Sequence, residues 1–138
     1  MAAWIQNIGT WLGQSIKSES ELAQLVQRRI PTKIVSNFVA HGLTRDEFHD
    51  VVIPLRTFKH RKTRAEDLSI DESDKALRMA RVLALAEDVF ANREKALAWM
   101  RHSKRRFGGQ TPMHMLQTEA GARLVEQMLI QVDEGMFA

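Results

Sequence analysis

Hydrophobic residues recur at helical spacing along almost the whole chain, in the pattern of α-helices that bury one face. No stretch alternates β-branched and polar residues between turns, as a half-buried strand would. The pattern therefore predicts an all-α fold. The predicted helices cover about residues 3–16, 19–29, 31–41, 44–51, 54–62, 71–91, 93–103 and 119–134, with a short helical turn after Pro112.

Local signals mark where these helices begin and end. Ser18, Thr44 and Ser69 are each followed three positions later by a glutamate, which is the pattern of a capping box that satisfies free backbone N–H groups. Proline is tolerated in the first turn of a helix, and glycine favours a helix end. On these grounds we assign helix starts and ends to Pro31, Pro54, Pro112, Gly42, Gly108, Gly109 and Gly135.

Residues 1–17 form an amphipathic arm in this scheme. Its apolar face consists of Ile5, Ile8, Leu12 and Ile16. Two roles are open for the arm: its side chains Trp4, Trp11 and Leu12 could contact a second copy of the chain in a homodimer, or they could cover the chain's own core.

Residues 44–62 contain two short helical patterns separated by a tight connection, an arrangement typical of a helix-turn-helix. Phe48 and Phe58, ten residues apart, would hold the two helices together, with Leu55 also in the core. Val52 occupies the turn position where glycine is usual. The second helix would present its other side chains to a DNA major groove: Arg56, Thr57, Lys59, His60, Arg61, Lys62 and, just beyond it, Arg64.

The distribution of charge supports DNA contact more than the net charge of +3 does. Residues 55–64 carry five Lys or Arg side chains and no acid, whereas residues 65–74 carry five acids and no base. Cations neutralise phosphates and release counterions, and arginine can form paired bonds with guanine. A basic helix can also be a solvated surface, or can pair with the acidic stretch that follows, so these alternatives stay open.

The sequence offers no constellation of residues for catalysis. It contains no phosphate loop, dinucleotide fingerprint or zinc-protease motif, and its five histidines lack the spacing of metal ligands. The absence of cysteine excludes disulfides and fits a reducing cytoplasm. No apolar run approaches the ~20 residues that a membrane-spanning helix needs. We therefore predict a cytoplasmic protein that is not an enzyme, contacts no membrane and requires no cofactor or metal.

A distinctive segment runs from Phe107 to Gly121, with the spacing Gly-Gly-x-x-Pro followed by Thr-x-x-Gly. Ser73-Asp74 and Trp99 precede it. Together these motifs resemble the toxin-binding domain of the Xre/MbcA/ParS antitoxins. The upstream segment Arg56-Thr57-Phe58-Lys59-His60-Arg61 resembles that family's Xre-like helix-turn-helix, and the whole resemblance covers about residues 43–138.

The resemblance implies an antitoxin of a bacterial type II toxin–antitoxin system, with an Xre-like helix-turn-helix at residues 18–64 and a toxin-binding domain at residues 65–138. Such antitoxins pair with RES-domain toxins, which consume NAD or use it to ADP-ribosylate targets. The antitoxin blocks the toxin's NAD cleft, and members with a working helix-turn-helix repress their own operon. The expected partners are therefore a RES-domain toxin, operator DNA and a second copy of the chain.

Toxin contact is expected at the end of the last predicted helix and just beyond it. The residues assigned to it are Met128, Gln131, Val132, Gly135, Met136, Phe137 and Ala138. The apolar stripe of this helix consists of Leu124, Val125, Met128, Leu129 and Val132, and it could pack in the core or partly face a partner. The last three residues could likewise be buried in the chain's own core, although we favour a partner's cleft.

Two other functions remain open at this point. The chain could be a stand-alone helix-turn-helix regulator, which would bind an operator with steep salt dependence and have no protein partner. It could also be an adaptor with a vestigial helix-turn-helix, which would bind a protein partner but no DNA. Variants of the basic helix and of the C-terminal residues distinguish the three interpretations.

Overall fold

The computed structural model describes residues 2–135, with side chains from residue 4 onward, and every regular element in this range is helical. The all-α prediction is therefore confirmed. Met136, Phe137 and Ala138 of the predicted toxin-binding set lie outside the described residues. The helices are α1 (Ala2–Leu12), α2 (Glu19–Gln27), α3 (Ile34–Ala40), α4 (Arg45–Val51), α5 (Leu55–Thr63), α6 (Ile70–Phe90), α7 (Arg93–Met100), a 3-10 turn (Arg105–Phe107), α8 (Pro112–Met115) and α9 (Glu119–Asp133).

The largest differences from the predicted lengths are in α1, α3 and α7, which are all shorter than predicted. α1 ends at Leu12 instead of residue 16, because Gly13 follows it in a left-handed conformation with φ of +70°. α3 begins at Ile34 instead of residue 31, since the preceding residues form a turn in which the Ile34 N–H bonds to the Pro31 carbonyl at 3.1 Å. α7 ends at Met100 instead of residue 103, and the sequence did not predict the 3-10 turn that follows.

Two of the three predicted capping boxes are complete. At the start of α4, the Thr44 hydroxyl accepts from the Glu47 N–H at 3.1 Å, and the Glu47 carboxylate accepts from the Thr44 N–H at 2.9 Å. Ser69 and Glu72 form the same pair of bonds at the start of α6. The third box, at Ser18, is incomplete, because the Glu21 carboxylate accepts from the Lys17 N–H and not from the Ser18 N–H.

The N-terminal arm covers the chain's own core. α1 packs against α6 and α3, and Ile8, Trp11 and Leu12 are buried there. The Trp4 indole N–H donates to the Arg81 carbonyl of α6 at 3.2 Å. Of the two roles left open for the arm, the structure therefore shows that it covers the chain's own core. Trp11 is 0% and Leu12 3% exposed, so neither side chain has surface left to contact another chain.

Helix α6 lies at the centre of the fold and packs against α1, α2, α7 and α9. From α9, Val125, Met128 and Leu129 are buried, which supports core packing for most of its apolar stripe. Leu124, which we assigned to the same stripe, is 48% exposed instead. Because an α-helix has 3.6 residues per turn, the Leu124 side chain leaves α9 about 100° away from the centre of the buried face. It therefore lies on the flank of the helix.

Candidate functional site

The predicted helix-turn-helix is formed by α4, a short turn and α5. Phe48 of α4 is fully buried, Phe58 of α5 is 4% exposed, and the His49 ring lies 4.9 Å from the Phe58 ring between centroids. The His49 Nδ1 atom lies 3.0 Å from the Ile53 carbonyl oxygen, a contact that supports the turn. Val52 takes the turn position with φ of −95° and ψ of −52°, so this turn does not require glycine.

One side of α5 faces the protein and the other faces solvent. Phe58 is buried, and Thr57 and Arg61, which lie on the same side, are half-buried. The exposed side chains are Arg56, Lys59, His60, Lys62, Thr63 and, after the helix, Arg64. The prediction that Leu55 lies in the core was wrong, since Leu55 is 48% exposed. α5 begins at this residue, behind an extended Pro54, and its side chain lies on the flank of the buried face.

Arg61 differs from the other predicted DNA-binding cations, because its guanidinium group is paired within the protein. Its Nε and Nη2 atoms donate to the two carboxylate oxygens of Glu72 at 3.0 and 3.1 Å. Its Nη1 atom lies 3.7 Å from a carboxylate oxygen of Glu66. The alternative in which the basic helix pairs with the acidic stretch therefore applies at Arg61.

Both members of this pair have shifted pKa values. Burial alone would raise the pKa of Glu72, but hydrogen bonds from Arg61 and from the Ser69 backbone, with the charge of Arg61, outweigh burial and lower it. The pKa of Arg61 is raised, chiefly by its hydrogen bonds to Glu72. Both shifts favour the charged forms, so the pair is ionised at neutral pH.

Two described residues of the predicted toxin-binding set, Met128 and Val132, line a groove of about 300 Å³. Of these two side chains, Met128 is buried and Val132 is half-buried. Trp99 also lines the groove, with the Lys104 ammonium 4.6 Å from the centroid of its ring. Burial lowers the pKa of Lys104. The groove therefore combines apolar side chains with the cationic side chain of Lys104.

The remaining two described residues of this set, Gln131 and Gly135, do not line the groove. The Gln131 side-chain carbonyl accepts a hydrogen bond from Arg106 at 3.0 Å, which ties α9 to the 3-10 turn. Gly135 is exposed directly after α9 and adopts a φ of +78°, as expected of a glycine at a helix end.

Polar contacts that the sequence did not reveal join the helix-turn-helix to the C-terminal helices. Arg101, after α7, donates to the Glu47 carboxylate at 2.8 and 2.9 Å and to the Gly42 carbonyl at 2.8 Å. The Nδ1 atom of His114, in α8, lies 3.3 Å from the carboxylate of Asp50, in α4. No local pattern indicates such pairs, because the partners are more than fifty positions apart in the sequence.

Comparison with known proteins identifies both halves of the chain. Residues 21–81 match the antitoxin Xre-like helix-turn-helix domain, and residues 85–135 match the antitoxin Xre/MbcA/ParS C-terminal toxin-binding domain. The chain is also 42% identical over 114 residues to Antitoxin Xre of Pseudomonas putida, an alignment that covers 77% of this chain and 72% of that protein. The chain belongs to the Xre antitoxin family.

Two further relatives of this Xre-family antitoxin are proteins named Antitoxin Xre. The one from Yersinia enterocolitica is 31% identical and the one from Photorhabdus laumondii is 33% identical, each over 87 residues. Each alignment covers 62% of this chain and 59% of the relative. The resemblance noted in the sequence is thereby confirmed at the level of the family.

The two matched regions of this Xre-family antitoxin adjoin within the continuous helix α6, which spans Ile70–Phe90. The domain boundary predicted at residue 65 precedes that helix and stays a prediction. Among the described residues, 2–135, no helix is long and apolar enough to cross a membrane.

The motif residues that carried the resemblance have structural roles in this Xre-family antitoxin. The buried Ser73 hydroxyl accepts from the Ile30 N–H at 2.8 Å and so joins α6 to the connection between α2 and α3. Trp99 packs on Phe90 of α6 with ring centroids 5.8 Å apart, and so joins α7 to α6. Thr118 caps α9 by accepting from the backbone N–H of Gly121.

Proposed function

We propose that this Xre-family antitoxin neutralises a RES-type toxin, an enzyme that consumes NAD or ADP-ribosylates its targets, by blocking the toxin's active-site cleft. The match of residues 85–135 to the toxin-binding domain carries this proposal. The RES partner follows from the motif resemblance. In this proposal the antitoxin acts in the bacterial cytoplasm, and it is not itself an enzyme and needs no cofactor.

The toxin contact is proposed at the end of α9 and the residues after it. The groove beside α9 supports this assignment, because half-buried Val132 and Trp99 offer apolar surface next to the cationic side chain of Lys104. A few side chains, among which tryptophan is enriched, supply most of the binding energy of an interface. The proposed set is Met128, Gln131, Val132, Gly135, Met136, Phe137 and Ala138.

The toxin contact can be tested by co-expression with the toxin encoded beside this gene, with growth and cellular NAD as readouts. We expect the full chain to preserve NAD, whereas truncation before Gly135 abolishes protection. Val132→Asp should weaken the complex, since it places a charge in an apolar contact. Asp133→Ala is the matched control, because this neighbouring side chain is exposed. Full protection by the truncated chain would refute the C-terminal contact.

We also propose that α5 binds operator DNA and represses the antitoxin's own operon. The exposed cations of α5 support this, since they lie on the face that a recognition helix turns toward the major groove. The proposed contacts are Arg56, Thr57, Lys59, His60, Lys62 and Arg64, whereas Arg61 is paired with Glu72. Paired half-sites favour a homodimer, whose contact surface must lie outside the buried part of α1.

The DNA contact is tested by the double variant Arg56→Ala/Lys59→Ala. We expect it to lose binding to the duplex upstream of the coding sequence while it still binds toxin. Lys95→Ala, which removes an exposed cation of α7, should bind that DNA as the wild type does. Normal DNA binding by the double variant would refute the role of α5. A chain that binds DNA but no toxin would favour a stand-alone regulator. A chain that binds a toxin but no DNA would favour an adaptor.

A further inference from the structure

Helix α5 has little apolar packing to fix its orientation. It contains nine residues, and Phe58 is its one buried side chain. Because Leu55 is exposed, apolar contact holds α5 near a single point and does not by itself fix rotation about the helix axis. A recognition helix needs a fixed rotation, since its outward side chains reach base edges in only one orientation. A second contact is therefore needed.

The Arg61–Glu72 pair supplies that second contact. Arg61 follows Phe58 by three positions, so both side chains leave α5 on the same side. The two parallel hydrogen bonds, at 3.0 and 3.1 Å, set direction as well as distance. The side chains of Arg61 and Glu72 are only 24% and 13% exposed, so water competes weakly for these bonds.

The Glu72 carboxylate is itself held in place. Its Oε1 atom, which accepts from Arg61, also accepts from the Ser69 N–H at 2.8 Å as part of the capping box of α6. The carboxylate is therefore fixed to the first turn of the longest helix of the fold. Through it, the rotation of α5 is set relative to α6.

We propose that Arg61 is a positioning residue of the DNA-binding helix and not a DNA ligand: held by Glu72, it fixes the rotation of α5 and so directs Arg56 and Lys59 toward DNA. This inference rests on the DNA-binding function proposed above and deepens it. To reach a phosphate, Arg61 would have to break both bonds to Glu72 and leave a half-buried carboxylate without its partner, which is costly. Arg56 and Lys59 are exposed and have no such obstacle.

The test measures binding of the full chain to the duplex directly upstream of its coding sequence, by fluorescence anisotropy over a series of KCl concentrations. Lys59→Ala serves as the contact control, and the magnitude of its salt slope should fall by about 0.9, as for one lost phosphate contact. Arg61→Ala should weaken binding on the order of tenfold, as positioning residues do, with the salt slope unchanged.

Glu72→Gln is the decisive variant. It removes a negative charge close to the DNA-binding helix, so long-range electrostatics alone would tighten binding. If Glu72 positions α5 through Arg61, Glu72→Gln should instead weaken DNA binding as Arg61→Ala does. The double variant Arg61→Ala/Glu72→Gln should bind DNA no more weakly than either single variant. Glu66→Gln is the matched control, because it removes a neighbouring acid while leaving both bonds of the pair intact, and it should bind at least as well as the wild type.

Arg61→Lys separates positioning from phosphate contact, because lysine keeps the charge but cannot form the two parallel bonds. We expect it to bind as weakly as Arg61→Ala, with thermal unfolding showing that each variant is folded. Wild-type affinity of Arg61→Lys, a reduced salt slope of Arg61→Ala, or undiminished binding by Glu72→Gln would overturn the inference alone. Failure of the wild type to bind this duplex even at low salt would overturn the DNA-binding function and this inference together.

Discussion

The backbones of α8 and α9 approach so closely at Gly121 that a Cβ atom there would overlap the Met115 carbonyl oxygen. Gly121 is the last residue of the Thr-x-x-Gly motif, and its place in the motif is explained by this approach. Ser73 is likewise explained by its bond to the Ile30 N–H. At the scale of the residue, parts of the motif that identify the family thus build the fold.

Gly121→Ala should therefore destabilise the protein. Because the obstructing atom belongs to the backbone, it cannot rotate away, and we expect a loss of about 1–3 kcal/mol in the free energy of unfolding, typical of overpacking. Urea denaturation measures this loss. Ala120→Ser, at the exposed neighbouring position, is the control and should change stability by less than about 0.5 kcal/mol. Equal stability of Gly121→Ala and the wild type would contradict the close approach.

At the scale of the element, two capping boxes also hold arginines from distant parts of the chain. Glu47 caps α4 and binds Arg101, and Glu72 caps α6 and binds Arg61. Burial would raise the pKa of Glu47, but the Arg101 and Thr44 hydrogen bonds outweigh it, so its pKa is lowered like that of Glu72. These carboxylates link the start of one helix to the orientation of another.

The lowered pKa values make stability depend on pH. A carboxyl with a lower pKa in the folded than in the unfolded state stabilises the fold above its unfolded pKa, and this stability is lost as pH falls through the folded pKa. We expect the free energy of unfolding to decrease as pH falls below the ordinary value of 4.5. Glu47→Gln/Glu72→Gln should be less stable at neutral pH and show a shallower decrease.

The measurement is chemical denaturation at a series of pH values between neutral and acid. Glu66→Gln is the control for a change of charge alone, since its carboxylate side chain is 42% exposed and caps no helix. It should follow the wild-type pH dependence. A double variant whose stability falls as steeply with acid as that of the wild type would show that the two capping carboxylates do not carry the effect.

At the scale of the whole molecule, α6 holds the C-terminal helices through buried charge. Arg78, only 8% exposed, donates to the Glu119 carboxylate at 3.1 Å and to the Leu116 and Gln117 carbonyls at 3.3 Å each. The α8–α9 connection is thereby fixed to α6. Burial would raise the pKa of Glu119, but the hydrogen bond from Arg78 and the neighbouring arginine charges lower it.

Removing this arginine should loosen the connection between the two halves. We expect Arg78→Ala to lower the free energy of unfolding by about 1–3 kcal/mol, because it leaves buried carbonyl groups without donors. Arg123→Ala is the matched control, because Arg123 also pairs with Glu119, at 3.8 Å, but its side chain is 74% exposed. Such a surface pair contributes little, so Arg123→Ala should stay within about 0.5 kcal/mol of the wild type. Equal losses from the two variants would contradict the role of burial.

The sequence by itself determined the all-α fold, the order of the helices, two complete capping boxes and the family, because periodicity and caps are local properties of the chain. It also placed the basic helix, with Phe48 and Phe58 as the buried pair. Only the tertiary structure decided that the N-terminal arm covers α6, that Leu55 is exposed, and that Arg61 is held by Glu72. Such outcomes depend on which side chains distant parts of the chain bring together, and periodicity does not specify them.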